Sequence, residues 1–118
     1  MNKRDKIILH KIIDESAVLA RMLEGVNESE FLLSDEKMRA ACMTLINIGE
    51  LVKNLSDAFR LRYQQIPWKD MAGLRDVTAH GYFTLRMPDI WIFASGELPA
   101  YMKYIKEILE NEAGLNDD

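Results

Sequence analysis

Apolar residues recur every three or four positions along most of this chain, the repeat of a helix with one buried face. From about Asp5 to Glu24, Ile8, Ile12, Leu19 and Leu23 share a face, with Ile13, Ala17 and Ala20 beside it. Gly25 suits the left-handed residue that closes such a helix. Asn27 and Glu30 have the spacing of a reciprocal capping box, and Ser34 offers a second N-cap, with Asp35 and Glu36 complementing the helix dipole. The clearest stripe follows: Met38, Ala41, Cys42, Leu45, Ile48, Val52, Leu55. It predicts a long helix with one buried face. Gly49 lies within it, where glycine costs up to ~1 kcal/mol against alanine, and so points to close helix packing.

Ser56 is placed to cap a short helix through Tyr63. Ile66-Pro67-Trp68 reads as a turn, with Pro67 at the first position of a helix that carries Met71, Leu74 and Val77 inward and ends near Gly81. Pro88 and Pro99 mark further helix starts, and the last helix buries Leu98, Tyr101, Met102, Ile105, Ile108 and Leu109. No segment alternates as a strand would, and no Asn-Gly or Asp-Gly hairpin turn is present. The expected architecture is an all-α bundle of four or five helices. The 118 residues suit one domain, from 1 to 113, with 114–118 as a frayed acidic tail.

Composition narrows the class. With 48% hydrophobic and 29% charged residues the chain can bury a core beneath a solvated surface, unlike a disordered protein. A single cysteine, Cys42, rules out an internal disulfide. Only three apolar residues separate the charged start from His10 and Lys11, too few for a signal peptide, and no apolar run approaches the ~20 residues of a membrane span. A cytoplasmic protein without a membrane contact is expected. The net charge of -4 argues against a general DNA coat. From Lys53 to Arg86, however, six basic residues face three acids. Such a region can hold a phosphate backbone, although ordinary surface variation produces the same split.

Several chemistries lack their residues. Two histidines seventy positions apart and one cysteine on an apolar face do not make a metal site. No glycine run leads into Gly-Lys-Ser or Gly-Lys-Thr, and no serine sits in a Gly-x-Ser-x-Gly elbow. Neither a metal nor another cofactor is therefore expected. Cys42, the seven methionines and the tyrosines of the last helix read as packing, and His10, beside the apolar face of the first helix, as structural.

One segment concentrates reactive groups. Arg75, Asp76, His80 and Tyr82 lie within eight positions. Asp76 and His80 are four apart, so on a helix the carboxylate can reach the imidazole and favour its cation. A histidine that changes charge near neutral pH is the usual general acid or base. Arg75 suits a phosphate or a pentavalent phosphorane. Arg75 and His80 are ~140° apart on an ideal helix, so either the helix loosens before Gly81 or another chain completes the site. On spacing alone, a salt-bridged arginine and a histidine capping a helix end explain the pattern more simply.

The wider segment resembles the toxin subunit of the HEPN family called HepT. The resemblance rests on Arg75-x4-His80-x-Tyr82 with polar Asp76 after the arginine, on Ile66-Pro67-Trp68 through Gly73-Leu74-Arg75, and on Ile48-Gly49-Glu50 of the long helix. It extends over nearly the whole chain. Asp76 stands where asparagine is commonest, within the family's range. The resemblance implies a four- to five-helix HEPN-like bundle and a metal-independent endoribonuclease, the toxin of a toxin–antitoxin pair. In it His80 is the acid/base, Arg75 binds phosphate and Asp76 supports the pair. It also implies a homodimer whose two motifs meet at one composite cleft, with RNA as substrate. A minimal nucleotidyltransferase antitoxin would attach AMP to Tyr82 and block that cleft. The alternatives are a non-catalytic nucleotide- or substrate-binding partner of such a nucleotidyltransferase, and a purely structural bundle.

Overall fold

The computed structural model of the chain describes residues 1–73 and 85–116, with side chains to residue 112. Helix α1 (Lys3–Leu23) starts at Asn2, whose side chain accepts from the Asp5 amide at 2.7 Å. It ends before Gly25, at φ +74°. An added Cβ there would meet nothing within 4 Å, so the glycine is required by its backbone angle alone. Gly25→Ala is accordingly expected to lower unfolding free energy by about 1 kcal/mol in a denaturant titration.

Helix α2 (Glu28–Leu32) carries the complete Asn27–Glu30 capping box, and Ser34 caps α3 (Asp35–Lys53) through the Lys37 amide. The α3 stripe is buried from Ala41 to Val52, with Gly49 in it, while Met38 is half-buried at its start. Cys42 is buried and its thiol is pushed up by that burial, which fits packing rather than reactivity. His10, by contrast, is exposed: it lies outside the arc that Leu9 and Ile12 bury.

Ser56 caps α4 (Asp57–Arg62). Helix α5 is described over residues 68–73. Pro67 stands one place before it rather than at its first position, and its carbonyl accepts from the Met71 amide at 3.0 Å, the role of an N-cap. Met71 points inward as expected, whereas Leu74, Val77 and Gly81 lie outside the described residues.

Helix α6 (Met87–Ile92) has Pro88 in its first turn. It runs without a break through a π-turn (Phe93–Glu97) into α7 (Leu98–Asn116), so Pro99 does not start a helix. The reason is local. In a regular α-helix Pro99 would supply no N–H to Ser95 and its ring would press on that carbonyl. The wider turn, with Leu98 N–H bonded back to Phe93, accommodates both faults.

Helix α1 packs against α3 and α7, α2 against α3 and α6, and the π-turn against α1 and α7. Leu9, Ile12, Phe31, Leu45, Ile48 and Ile105 fill the shared core. Among the described residues there is no strand, and no helix is long and apolar enough to cross a membrane. The fold is an all-α, HEPN-like bundle.

Among the described residues, two carboxylates are buried that periodicity alone did not single out. Asp5 is 2% exposed, and accepts from the Ser56 amide at 2.9 Å and the Ser56 hydroxyl at 2.6 Å. Since Ser56 Oγ also accepts from the Phe59 amide, Asp5 ties the start of α1 to the N-terminus of α4. The second is Glu112, described with the site below.

Candidate active site

Arg75, Asp76, His80 and Tyr82 all lie outside the described residues, between Gly73 and Leu85. The described residues do establish how the two flanks of that segment are held.

On the N-terminal flank, Trp68 is 4% exposed at the start of α5. Its indole Nε1–H donates to the Tyr63 carbonyl at 2.8 Å, and its ring stands 5.7 Å from that of Phe59. Phe59 in turn packs on Tyr63, with ring centroids 4.9 Å apart. Ile66 and Met71 are buried on either side. An apolar ring with a satisfied donor fixes both the depth and the rotation of a short helix.

Tyr63 also reaches across the bundle. Its hydroxyl donates to Glu112 of α7, which accepts as well from the Met1 amine at 3.1 Å and lies 3.2 Å from an Arg62 nitrogen. The Tyr63 hydrogen bond holds the Glu112 carboxyl below the usual carboxylate range, the amine and Arg62 acting in the same direction against the effect of burial. Burial and the Glu112 charge push the Tyr63 hydroxyl up. The network runs from α7 through Tyr63 to Trp68, and so to the helix that leads into the motif. In the sequence its signal was an acid on an apolar stripe, Glu112 following Ile105, Ile108 and Leu109.

A carboxyl whose pKa is depressed by folding stabilises the fold above its unfolded pKa, and that contribution fades as pH falls through the folded value. Glu112→Gln should therefore lower stability by about 1–3 kcal/mol at neutral pH, the cost of weakening a buried hydrogen-bonded charge. The difference from wild type should shrink below the ordinary carboxylate range. Denaturant titrations at pH 7 and pH 3 measure both.

On the C-terminal flank, Leu85 is half-buried against the core and Arg86 is the N-cap residue of α6. The Arg86 carbonyl accepts from the Asp89 and Ile90 amides at 3.0 and 3.2 Å. Ile90 is buried, so this flank too is anchored in the core. Asp70 and Met71 before the motif and Leu85 and Arg86 after it line one cavity of about 320 Å³.

Of the Ile48-Gly49-Glu50 group, Ile48 and Gly49 are buried and Glu50 is exposed. Glu50 lines a cleft of about 400 Å³ between α1 and α3, together with Lys11, Asp14, Glu15, Asn47 and Leu51. Asn47 Nδ2 donates to Glu15 across that cleft at 3.2 Å. Among the described residues, no three His, Cys, Asp or Glu side chains come together in a way that could hold a metal ion.

The HEPN-like bundle thus anchors both ends of the segment that holds Arg75, His80 and Tyr82. The sequence profile described as Ribonuclease HepT-like matches residues 12–108, which include the whole motif. The chain is 36% identical over 110 residues to a protein of Caldanaerobacter subterraneus subsp. tengcongensis named, by inference, an RNase, covering 93% of this chain and 98% of the relative. It is 33% identical over 119 residues to a Methanocaldococcus jannaschii protein similarly named, covering 100% and 98%. A Thermococcus cleftensis protein named, by inference, a ribonuclease HepT is 26% identical over 85% of this chain and 91% of its own length. No solved structure gives a significant match. The chain belongs to the HepT-like ribonuclease family and is an endoribonuclease.

Proposed function

We propose that this ribonuclease is the toxin of a toxin–antitoxin pair and cuts RNA without a metal, by attack of a ribose 2′-hydroxyl on the adjacent phosphate. The observation that carries the proposal is the family match across residues 12–108, within which Arg75, Asp76, His80 and Tyr82 are all present. Two firmly held flanks support it, because a general acid–base site needs its groups positioned to within a fraction of an ångström.

His80 takes the 2′-hydroxyl proton as the 2′-oxygen bonds to phosphorus. The 5′-oxygen leaves with its bonding pair and must receive a proton, giving a 2′,3′-cyclic phosphate and a free 5′-hydroxyl. Base and acid are thus both required, and the motif offers one histidine. A homodimer with its two motifs in one cleft supplies the second. Arg75 spreads its fixed charge over the phosphorane oxygens, and Asp76 orients and charges His80. A minimal nucleotidyltransferase antitoxin closes the cleft by transferring AMP to Tyr82, which adds bulk and negative charge where phosphate must bind.

The test is incubation of the protein with RNA in excess EDTA, followed by analysis of the new ends. Cyclic phosphate and 5′-hydroxyl termini are expected. Termini with a 5′-phosphate, or cleavage that EDTA abolishes, would overturn the mechanism. For the inhibitory step, incubation with such a nucleotidyltransferase and ATP should add the mass of one AMP to wild type and nothing to Tyr82→Phe.

A further inference from the structure

The cavity between the two flanks has features that the cleavage chemistry does not use. Its volume of about 320 Å³ is in the range of small-ligand pockets. One wall is the π-turn and the start of α7, which carry Phe93, Glu97 and Tyr101. Turns of this kind are rare and concentrate at functional sites. The rings of Phe93 and Tyr101 are 6.4 Å apart, inclined by 47° and half-buried, so they present an aromatic surface to the cavity. A flat heteroaromatic ring stacks on such a surface.

The charges around the rings select the ligand. Glu97 and Asp70 are exposed and have no hydrogen-bond or ion-pair partner among the described residues. Two open carboxylates oppose a phosphate. They favour a neutral group rich in N–H donors. Arg86, 3.8 Å from Asp89, is the one cation among the described lining residues. Glu97 lies one turn after Phe93 and one turn before Tyr101, on the helix face that carries both rings.

Among the RNA bases, uracil offers a single N–H, adenine and cytosine an amino group, and guanine an N–H and an amino group side by side. Only guanine matches both oxygens of one carboxylate. We propose that this cavity is a base subsite for the RNA, holding a guanine stacked on Phe93 and Tyr101 with its N1–H and amino group on the Glu97 carboxylate. The proposal rests on the ribonuclease activity and adds a base preference to it.

The test uses 2′-O-methyl hexanucleotides, which 2′-hydroxyl attack cannot cleave: all-uridine, and the same with one guanine, adenine or cytosine. Binding to the full chain is read by fluorescence polarisation. Wild type should bind the guanine oligonucleotide about tenfold more tightly than all-uridine, the scale of one bidentate base contact. Glu97→Gln, at an exposed position with no partner among the described residues, should reduce that ratio to within about twofold. Tyr101→Leu, which keeps apolar volume but loses the aromatic face, should weaken binding of every oligonucleotide by about tenfold. Equal binding of all four, or a guanine preference that survives Glu97→Gln, would overturn the proposal. In parallel, the cut sites in a mixed RNA are sequenced for wild type and Glu97→Gln. Cleavage with a base preference that Glu97→Gln does not change overturns the subsite alone. Glu97-dependent guanine binding with no cleavage supports the subsite and overturns the catalytic scheme.

Discussion

His80→Ala is expected to leave the helical bundle folded and to remove RNA cleavage. One positioned acid or base is worth roughly 10²–10⁴-fold in rate. In a composite cleft the substitution removes both groups at once, so the loss should lie at or beyond the upper end of that range. Initial rates in excess EDTA, with circular dichroism to verify the fold, measure it. Wild-type rates should follow a bell in pH, since one histidine must be neutral while the other is charged. Mixing tests the shared cleft directly. If each cleft needs His80 from both chains, adding excess His80→Ala protein to wild type should suppress activity as mixed dimers form. Activity that falls only by dilution would place a complete site in one chain. Arg75→Lys should also be slow, because a point charge does not reproduce the planar fork of guanidinium.

The second large effect is expected at Trp68, which makes no contact with phosphate in the proposed mechanism. Trp68→Ala removes a ring that is 4% exposed, its packing on Phe59 and its hydrogen bond to the Tyr63 carbonyl. Deletions of this kind cost about 3–5 kcal/mol. That is a large share of the ~5–15 kcal/mol that holds a domain folded. Trp68→Phe separates the two contributions. It keeps an aromatic ring and removes the donor, leaving the Tyr63 carbonyl short of a partner, and should cost about 1–3 kcal/mol. Because Trp68 opens the helix leading to Arg75, Trp68→Phe should also slow cleavage under conditions where the protein is fully folded. Guanidinium titration and cleavage rates, compared on the same samples, distinguish loss of folded protein from loss of positioning. Cleavage at the wild-type rate in folded Trp68→Phe would show that the anchor serves stability alone.

Most of the helical framework was legible in the sequence because its causes are local. The three-and-four spacing of Ala41, Cys42, Leu45, Ile48 and Val52 reports a helix with one buried face before any partner is known. The caps at Asn27 and Ser34 and the left-handed Gly25 act through neighbours within three residues. The motif was legible only as residue types, since their spacing alone fitted a structural role equally well; the resemblance gave it a catalytic reading, and the family match spans its positions. Its geometry lies outside the described residues.

What the sequence by itself determined was therefore the all-α class, the order of most helices and the family of ribonucleases to which the chain belongs. The tertiary structure decided the remainder, because burial depends on which faces meet. His10 directly follows the buried Leu9 on a helix rich in apolar positions, yet it is exposed. Asp5 and Glu112 are charged, yet they are buried, since Ser56, Tyr63 and the Met1 amine come to them from more than forty residues away. Pro99 sits inside a helical run because the π-turn before it removes the clash that would otherwise end one. The cavity at the two flanks of the motif likewise joins residues around 70, 86 and 97 that no periodicity relates.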